Sequence, residues 1–302
     1  MTDFPANIPG NGSLADYLAA NTHAVAETLH DAGAVLFRGF DVPNAFAFDA
    51  AIEAFGQPGF TYEDSLSNAV RTNVTERVFT ANEAPPDTEI FLHHEMAQTP
   101  IFPSALFFYC EIAAEKGGAT PLCRSDWVWQ RLKDSAAGFA DRLEKEGVRY
   151  TNTMPRDDDA ASGQGRSWRS TLSASTREEA EARLAMLGYT WDWQSDGSLC
   201  VTTPVLPAVR EISANRHSFF NQLIAAFRGW SDGRNDPGKA IKFGNGDPIT
   251  AEDMAPAIEI ADDLTYDLQW QPGDVALIDN FTVMHGRRPF QGKRRVLASL
   301  IS

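Results

Sequence analysis

"FLHHEM", residues 91–96, carries two histidines and a glutamate inside a short apolar run. The chain has six histidines in 302 residues, so two side by side concentrate a scarce side chain. "EIFLHHEM" (89–96) reads as a strand, and on a strand residues i and i+2 share a face. His93, Glu95 and Phe91 then point one way, and Leu92, His94 and Met96 the other. The two histidines therefore do not serve one site. An imidazole and a carboxylate on one face supply two metal ligands at once. A third from elsewhere completes a two-histidine, one-carboxylate triad with open positions, the arrangement suited to non-haem iron(II). The tripeptide alone is a weak signal. Composition gives about one His-x-acid match by chance, and a buried histidine bonded to a neighbouring glutamate has the same sequence.

A second stretch raises its weight. "GDVALIDNFTVMHGRRPFQGKRRVLASL" (273–300) places His285 at the end of a strand-like run. Arg295 follows ten residues later in another. Adjacent antiparallel strands would bring both to one pocket. Arginine presents a planar fork that binds a carboxylate through two bonds. A histidine-bound metal with an arginine one strand away suits a dicarboxylate co-substrate, one end on the metal and the other on the guanidinium. A solvated basic edge is the competing reading of "RRPF" and "KRR".

Outward from these motifs, "LADYLAANTHAVAETLHDA" (14–32) has helical spacing, with Gly33 as its C-terminal cap. "AVLFRGF" (34–40) reads as a buried strand, and "NAFAFDAAIEAFG" (44–56) as a helix capped by Asn44 and Gly56. "RVFTANEAPPD" (77–87) reads as a strand entering a turn, and "PSALFFYCEIA" (103–113) as a strand. Helices are expected over 125–147 and 176–188, and a hairpin over 188–206 turning near Asp196-Gly197. Residues 217–230 fit strand or helix equally, and 153–170 and 231–248 read as loops of the kind that cover active sites. The pattern favours one mostly β domain over 1–302, with a loose segment at 1–20 and a helical, lid-like insertion at 125–230.

A net charge of −15 argues against binding nucleic acid or an anionic membrane, and a strongly anionic substrate would need a local basic pocket. No run approaches the ~18 apolar residues of a membrane span. The opening "MTDFPANIPGNGSLADYL" has neither the basic nor the apolar region of a secretory signal. Cys110, Cys123 and Cys200 are widely spaced, which suits a reducing compartment, so a cytoplasmic location is expected.

Taken in order, "DAGAVLFRGFDV" (31–42), "FTANEAPPDTEIFLHHEMAQTPIFPSALFFYCEIAAEKGGATPL" (79–122) and the 273–300 stretch resemble the iron(II)/2-oxoglutarate-dependent dioxygenases of the taurine dioxygenase family. "GRSWRST", "FFNQLIAAFRGWSDGRNDP" and "IKFGNGDPI" are similar to its clavaminate synthase-like subgroup. The resemblance covers roughly residues 20–302. It implies a double-stranded β-helix, or jelly-roll, core with helical insertions. It also implies His93, Glu95 and His285 as iron ligands, with Arg295 and Thr120 (in "GGATP") on the distal carboxylate of 2-oxoglutarate. Asn221, in "FFNQ", falls where the family places an active-site wall. His94 occupies a position that in relatives is commonly asparagine. Halogenating relatives lack the carboxylate ligand, so Glu95 favours hydroxylation.

The implied reaction consumes 2-oxoglutarate and O2, releases succinate and CO2, and oxidises a C–H bond of a small substrate. By analogy with the subgroup, that substrate is an amino acid or a similar small molecule, free or tethered to a carrier protein, in specialised metabolism such as antibiotic biosynthesis. Desaturation, epoxidation or a sulfonate substrate would use the same cofactors. Arg71, in "SLSNAVRTN" just before the metal strand, is a candidate substrate contact, and Trp168, Arg169 and Arg216 are further candidates. Two other classes compete. A zinc hydrolase would carry H-E-x-x-H on a helix, rather than His-x-Glu on a strand. A non-catalytic jelly-roll binding protein would lack a ligand or a co-substrate residue.

Overall fold

The computed structural model describes residues 3–60, 66, 72–81, 84–158, 165–229 and 240–302. Along the chain come β1 (Ala6–Pro9), α1 (Leu14–Ala32), β2 (Ala34–Arg38), α2 (Ala45–Phe55), β3 (Phe79–Thr80), β4 (Ile90–His93), β5 (Ala105–Ile112), β6 (Lys116–Gly117) and β7 (Thr120–Arg124). Next are α3 (Ser125–Ser135), α4 (Ala137–Glu146), β8 (Val148–Met154), α5 (Trp168–Leu172), α6 (Arg177–Met186), β9 (Thr190–Trp193), β10 (Leu199–Thr202), β11 (Arg210–Ser213), β12 (Arg216–Ser218) and α7 (Leu223–Gly229). The chain closes with β13 (Ile241–Phe243), α8 (Ala251–Leu264), β14 (Tyr266–Leu268), β15 (Val275–Asp279), β16 (Val283–Arg287), β17 (Phe290–Gln291) and β18 (Arg295–Ile301).

Two sheets face each other and make the jelly roll. The larger has the order β1-β2-β15-β5-β18-β3, and the smaller β14-β7-β16-β4. Strand alternation sorts the side chains into layers. Leu106, Phe108, Cys110, Val296 and Ala298 of the larger sheet meet Leu122, Leu268 and Val283 of the smaller in the space between. Their neighbours Phe107, Tyr109 and Leu297 turn outward, onto Leu14 and Leu18 of α1 and Phe48 and Ile52 of α2. The smaller sheet's outer face, with Leu92, Cys123 and Met284, is covered by α3, α7 and α8 through Val128, Trp129, Leu223 and Met254. Burying one such large apolar side chain contributes roughly 1.5–3 kcal/mol, so each shared layer holds its sheet firmly in place.

The helical caps read from the sequence are present. Gly33 and Gly56 end α1 and α2 in left-handed backbone, and Asn44 accepts from the amides of Phe46 and Ala47. The hairpin forms as β9 and β10, and the ambiguous 217–230 stretch splits into the end of β12 and α7.

Three expectations change. Residues 6–9 are not loose: β1 pairs in parallel with β2, from Ala6 opposite Val35 to Pro9 opposite Arg38. The 125–147 helix is two helices, because the backbone leaves helical geometry at Ala136. The expected hairpin is part of a larger sheet, in which β8 and, from beyond the 125–230 insertion, β13 extend it in the order β13-β8-β10-β9. The helix over 251–264, unexpected from a stretch containing Pro256, starts from a capping box between Thr250 and Asp253. Among the described residues no helix is long and apolar enough to cross a membrane.

Candidate metal centre and co-substrate pocket

His285 and His93 are brought together by the sheet. β16 runs antiparallel to β4 with His285 directly opposite His93, and the ring centroids lie 4.4 Å apart. Glu95 arrives differently from the expectation. β4 ends at His93, and Glu95 sits in the turn that follows, where Met96 adopts left-handed backbone (φ 60°). The carboxylate nevertheless reaches the same point. One donor atom from each of His93, Glu95 and His285 lies within 4.8 Å of the others.

The donors fit a cation. His93 Nδ1 lies 2.8 Å from the carbonyl of Phe91, which places the ring proton there and leaves the Nε2 lone pair for a metal. His285 Nε2 stands 3.5 Å from Glu95 Oε2. That is longer than the about 2.7–2.9 Å of a charge-assisted hydrogen bond, yet close enough for both atoms to touch one ion. His285 and Glu95 are both buried, and His285 Nδ1 has no hydrogen-bond partner. Phe108 packs on the His285 ring at 5.3 Å and forms an apolar wall.

His94 is elsewhere, as the facing argument required. It is fully buried against Phe220, and its Nδ1 donates to the carbonyl of Asn280. Burial drives its pKa down to about 3, so the ring is neutral.

A second feature opens on the same inner face of β5. Cys110, two residues and so about 7 Å along from Phe108, lines a cavity with Gly117, Gly118, Trp270, Arg294 and Val296. Of the two adjacent arginines it is Arg294, not Arg295, that lines it, with Glu115 and Lys116 also on the wall. A bulge between Arg295 and Val296 shifts the β18 register. On β18 itself the alternation is regular, so Arg295 shares the outward side of Leu297, its guanidinium half-exposed and 2.5 Å from Glu111. Arg294 lies on the cavity wall, donating from Nε to the carbonyl of Gly118. Burial, and then the nearby charge of Arg287, lower its pKa to about 10. Arg294 thus places a partly buried guanidinium at the cavity wall.

Thr120 is buried on β7. It shares a face with Leu122, the residue opposite His285. Its Oγ1 accepts from the indole N–H of Trp270 at 2.9 Å. Indole only donates, so the threonine's own proton remains available to an acceptor.

The other described candidates have partners of their own. Trp168 is buried in a separate core with Met154, Leu172 and Leu199, edge-on to Trp193, and Arg169 lies over its ring. Arg216 is tied to Asp126 at 2.8 Å and to the end of α1 through the carbonyl of His30. Asn221 bonds the carbonyl of Ala208 and the amide of Leu223, holding the start of α7. Arg71 falls outside the described residues. Arg294 stands beside Arg295 in "KRR" and is the alternative anchor the sequence offers, whereas nothing in the sequence singles out Trp270 or Asn280.

A model of the family described as taurine catabolism dioxygenase TauD, TfdA family, matches residues 2–300. The chain belongs to the TauD/TfdA dioxygenase family. It is accordingly an enzyme that uses iron(II), 2-oxoglutarate and dioxygen. It is 46% identical over 279 residues to a clavaminate synthase-like protein of Arabidopsis thaliana, covering 92% of this chain and 84% of that one. It is 28% identical over 293 residues to the dapdiamide synthesis protein DdaC of Enterobacter agglomerans, covering 92% and 85%. Among solved structures it shares the fold of the non-haem iron oxygenase OrfP, whose D157A variant was solved with (3S)-hydroxy-L-Arg. That match has a TM-score of 0.57 and 15% identity, and covers 98% of this chain and 94% of that one. It also shares the fold of AAD-2, solved with Mn(II) and N-oxalylglycine, with a TM-score of 0.52 and 16% identity over 94% and 87%.

Proposed function

We propose that His93, Glu95 and His285 hold the iron, that Arg294 with Thr120 holds the distal carboxylate of 2-oxoglutarate, and that the enzyme hydroxylates an unactivated C–H bond of an amino acid or amino-acid-like molecule. The observation that carries the site reading is the placement of the donor triad and the arginine cavity along one inner face, two residues of β5 apart. Iron bound there supplies the O2 chemistry that consumes 2-oxoglutarate and oxidises the substrate.

The protein's own contribution is placement. Arg294 and the Thr120 hydroxyl fix one end of a short dicarboxylate, which aims its other end at the metal donors. Phe108 and Leu122 keep water from the space between. Glu95 occupies the position that halide takes in halogenating relatives, which supports hydroxylation.

The substrate class is supported by the relatives: one is named for dapdiamide synthesis and another was solved with a hydroxylated arginine. The substrate is taken free or presented on a carrier protein. A cytoplasmic setting is part of this reading, supported by three free thiols.

The test is succinate release with iron and 2-oxoglutarate, screened against free L-amino acids, aminoacyl carrier-protein thioesters and sulfonates. Stimulation by an amino acid, free or tethered, is expected. Stimulation by sulfonates alone would overturn the substrate assignment.

A further inference from the structure

The turn that carries Glu95 lies past the end of β4, where ladder pairing with β16 has stopped. Both backbone polar groups of Glu95 are taken up by one side chain. Its N–H donates to Asn280 Oδ1 at 2.7 Å, and its carbonyl accepts from Asn280 Nδ2 at 3.0 Å. The second Nδ2 proton goes to the carbonyl of Pro103 at 2.8 Å. The amide thus imitates the paired bonds of an antiparallel neighbour.

Asn280 is itself fully buried and fixed. Its backbone N–H donates to the carbonyl of Ser104, and its carbonyl receives the His94 ring. A second amide completes the arrangement: Gln222 Nε2 donates to the carbonyl of His94 at 2.8 Å. Asn280 stands five residues before His285, in the short connection between β15 and β16. One connection therefore leads into the strand of one donor and grips the backbone of another.

We infer that Asn280 is a positioning residue for the metal centre, with Gln222 in support. It sets the Glu95 carboxylate against His285 in place of the strand pairing that β4 no longer provides. This inference rests on the metal-site reading above. Partners of this kind typically matter about 10–100-fold for metal affinity when removed.

The experiment is a double-mutant cycle read by calorimetric titration with Co(II) alone on the full chain, each variant first checked for a cooperative melt. Asn280→Ala is expected to weaken Co(II) binding about 10–100-fold. In a Glu95→Ala background the same change is expected to alter affinity less than about twofold, because its target is gone. Equal losses in both backgrounds would show a merely structural role and overturn the inference, as would unchanged affinity in Asn280→Ala. If Asn280→Ala does not melt cooperatively, Gln222→Met carries the same cycle. It removes only the donation to the His94 carbonyl, and an effect that is absent or independent of Glu95 overturns the inference. His93→Ala separates the two levels: unweakened Co(II) binding there would sink the metal-site reading itself.

Discussion

His94 and His93 are adjacent in sequence and opposite in circumstance. His93 holds its ring proton on a backbone carbonyl and offers the other nitrogen to the donor cluster, whereas His94 is buried between backbone carbonyls and kept neutral by desolvation. His93→Ala or His285→Ala should therefore abolish iron binding, measured as metal content after reconstitution. His94→Ala should retain a metal equivalent and instead lower the melting temperature, since deleting a buried, bonded ring costs about 2–4 kcal/mol. Loss of metal from His94→Ala with no change in melting would contradict this division. A parallel contrast separates the two arginines. Arg294→Ala should weaken 2-oxoglutarate binding at least about 30-fold, because truncating one partner of a buried, charge-assisted contact costs 2–5 kcal/mol. Arg295→Ala, which removes a half-exposed pair with Glu111, should change it less than about threefold. The reverse ranking in a binding titration would return the anchor to Arg295.

At the level of elements, what was legible depended on whether a local rule governed it. Capped helices such as α1 and α2 follow from side chains within a few residues of their ends. The 190–202 hairpin follows from alternation on both sides of a glycine turn. Which of Arg294 and Arg295 faces inward follows from alternation with Val296, Leu297 and Ala298 once the inward side of β18 is known, and counting residues from His285 does not give that side. The end of β4 at His93 is set by the neighbouring strand, so strand alternation gave the right partners for Glu95 by the wrong geometry. The roles of Thr120 and Asn280 require knowing which strands face each other, and only the family resemblance pointed to the first.

Another nonlocal element contact joins α1 to α3. Asp126 lies between Arg124 and Arg216, whose guanidiniums also bond the carbonyls of Asp31, Ala32 and His30. Burial would raise the Asp126 pKa, but the bonds and charges of the two arginines outweigh it and hold the carboxyl below its usual range. A pKa lower in the folded than in the unfolded state gives stability that is complete above about pH 4 and lost as pH falls through the folded value. Asp126→Asn should cost about 3–5 kcal/mol near neutrality, and the gap to the parent protein should narrow in acid. Denaturant melts across pH measure it, and a gap that widens in acid would contradict the account.

For the whole molecule, a strongly acidic chain holds a partly buried arginine, Arg294, on the wall of a cavity. The net charge is −15, while Arg294 puts positive charge on the cavity wall, with the charge of Arg287 near it. Metal binding couples to the fold because two of the donors belong to different strands of one sheet and the third to the turn beyond. Mn(II) at a hundred times its dissociation constant should add about 2.7 kcal/mol of stability, seen as a higher melting temperature in the parent protein and no shift in His93→Ala. An equal rise in both would place the ion elsewhere. The most direct measurement of the central claim is an anaerobic titration of metal-free protein with iron(II) and 2-oxoglutarate, following the visible metal-to-ligand charge-transfer band. The band should form in the parent protein and in Arg295→Ala, and should require far more 2-oxoglutarate in Arg294→Ala. Iron binding without the band, or no binding at all, would contradict the account.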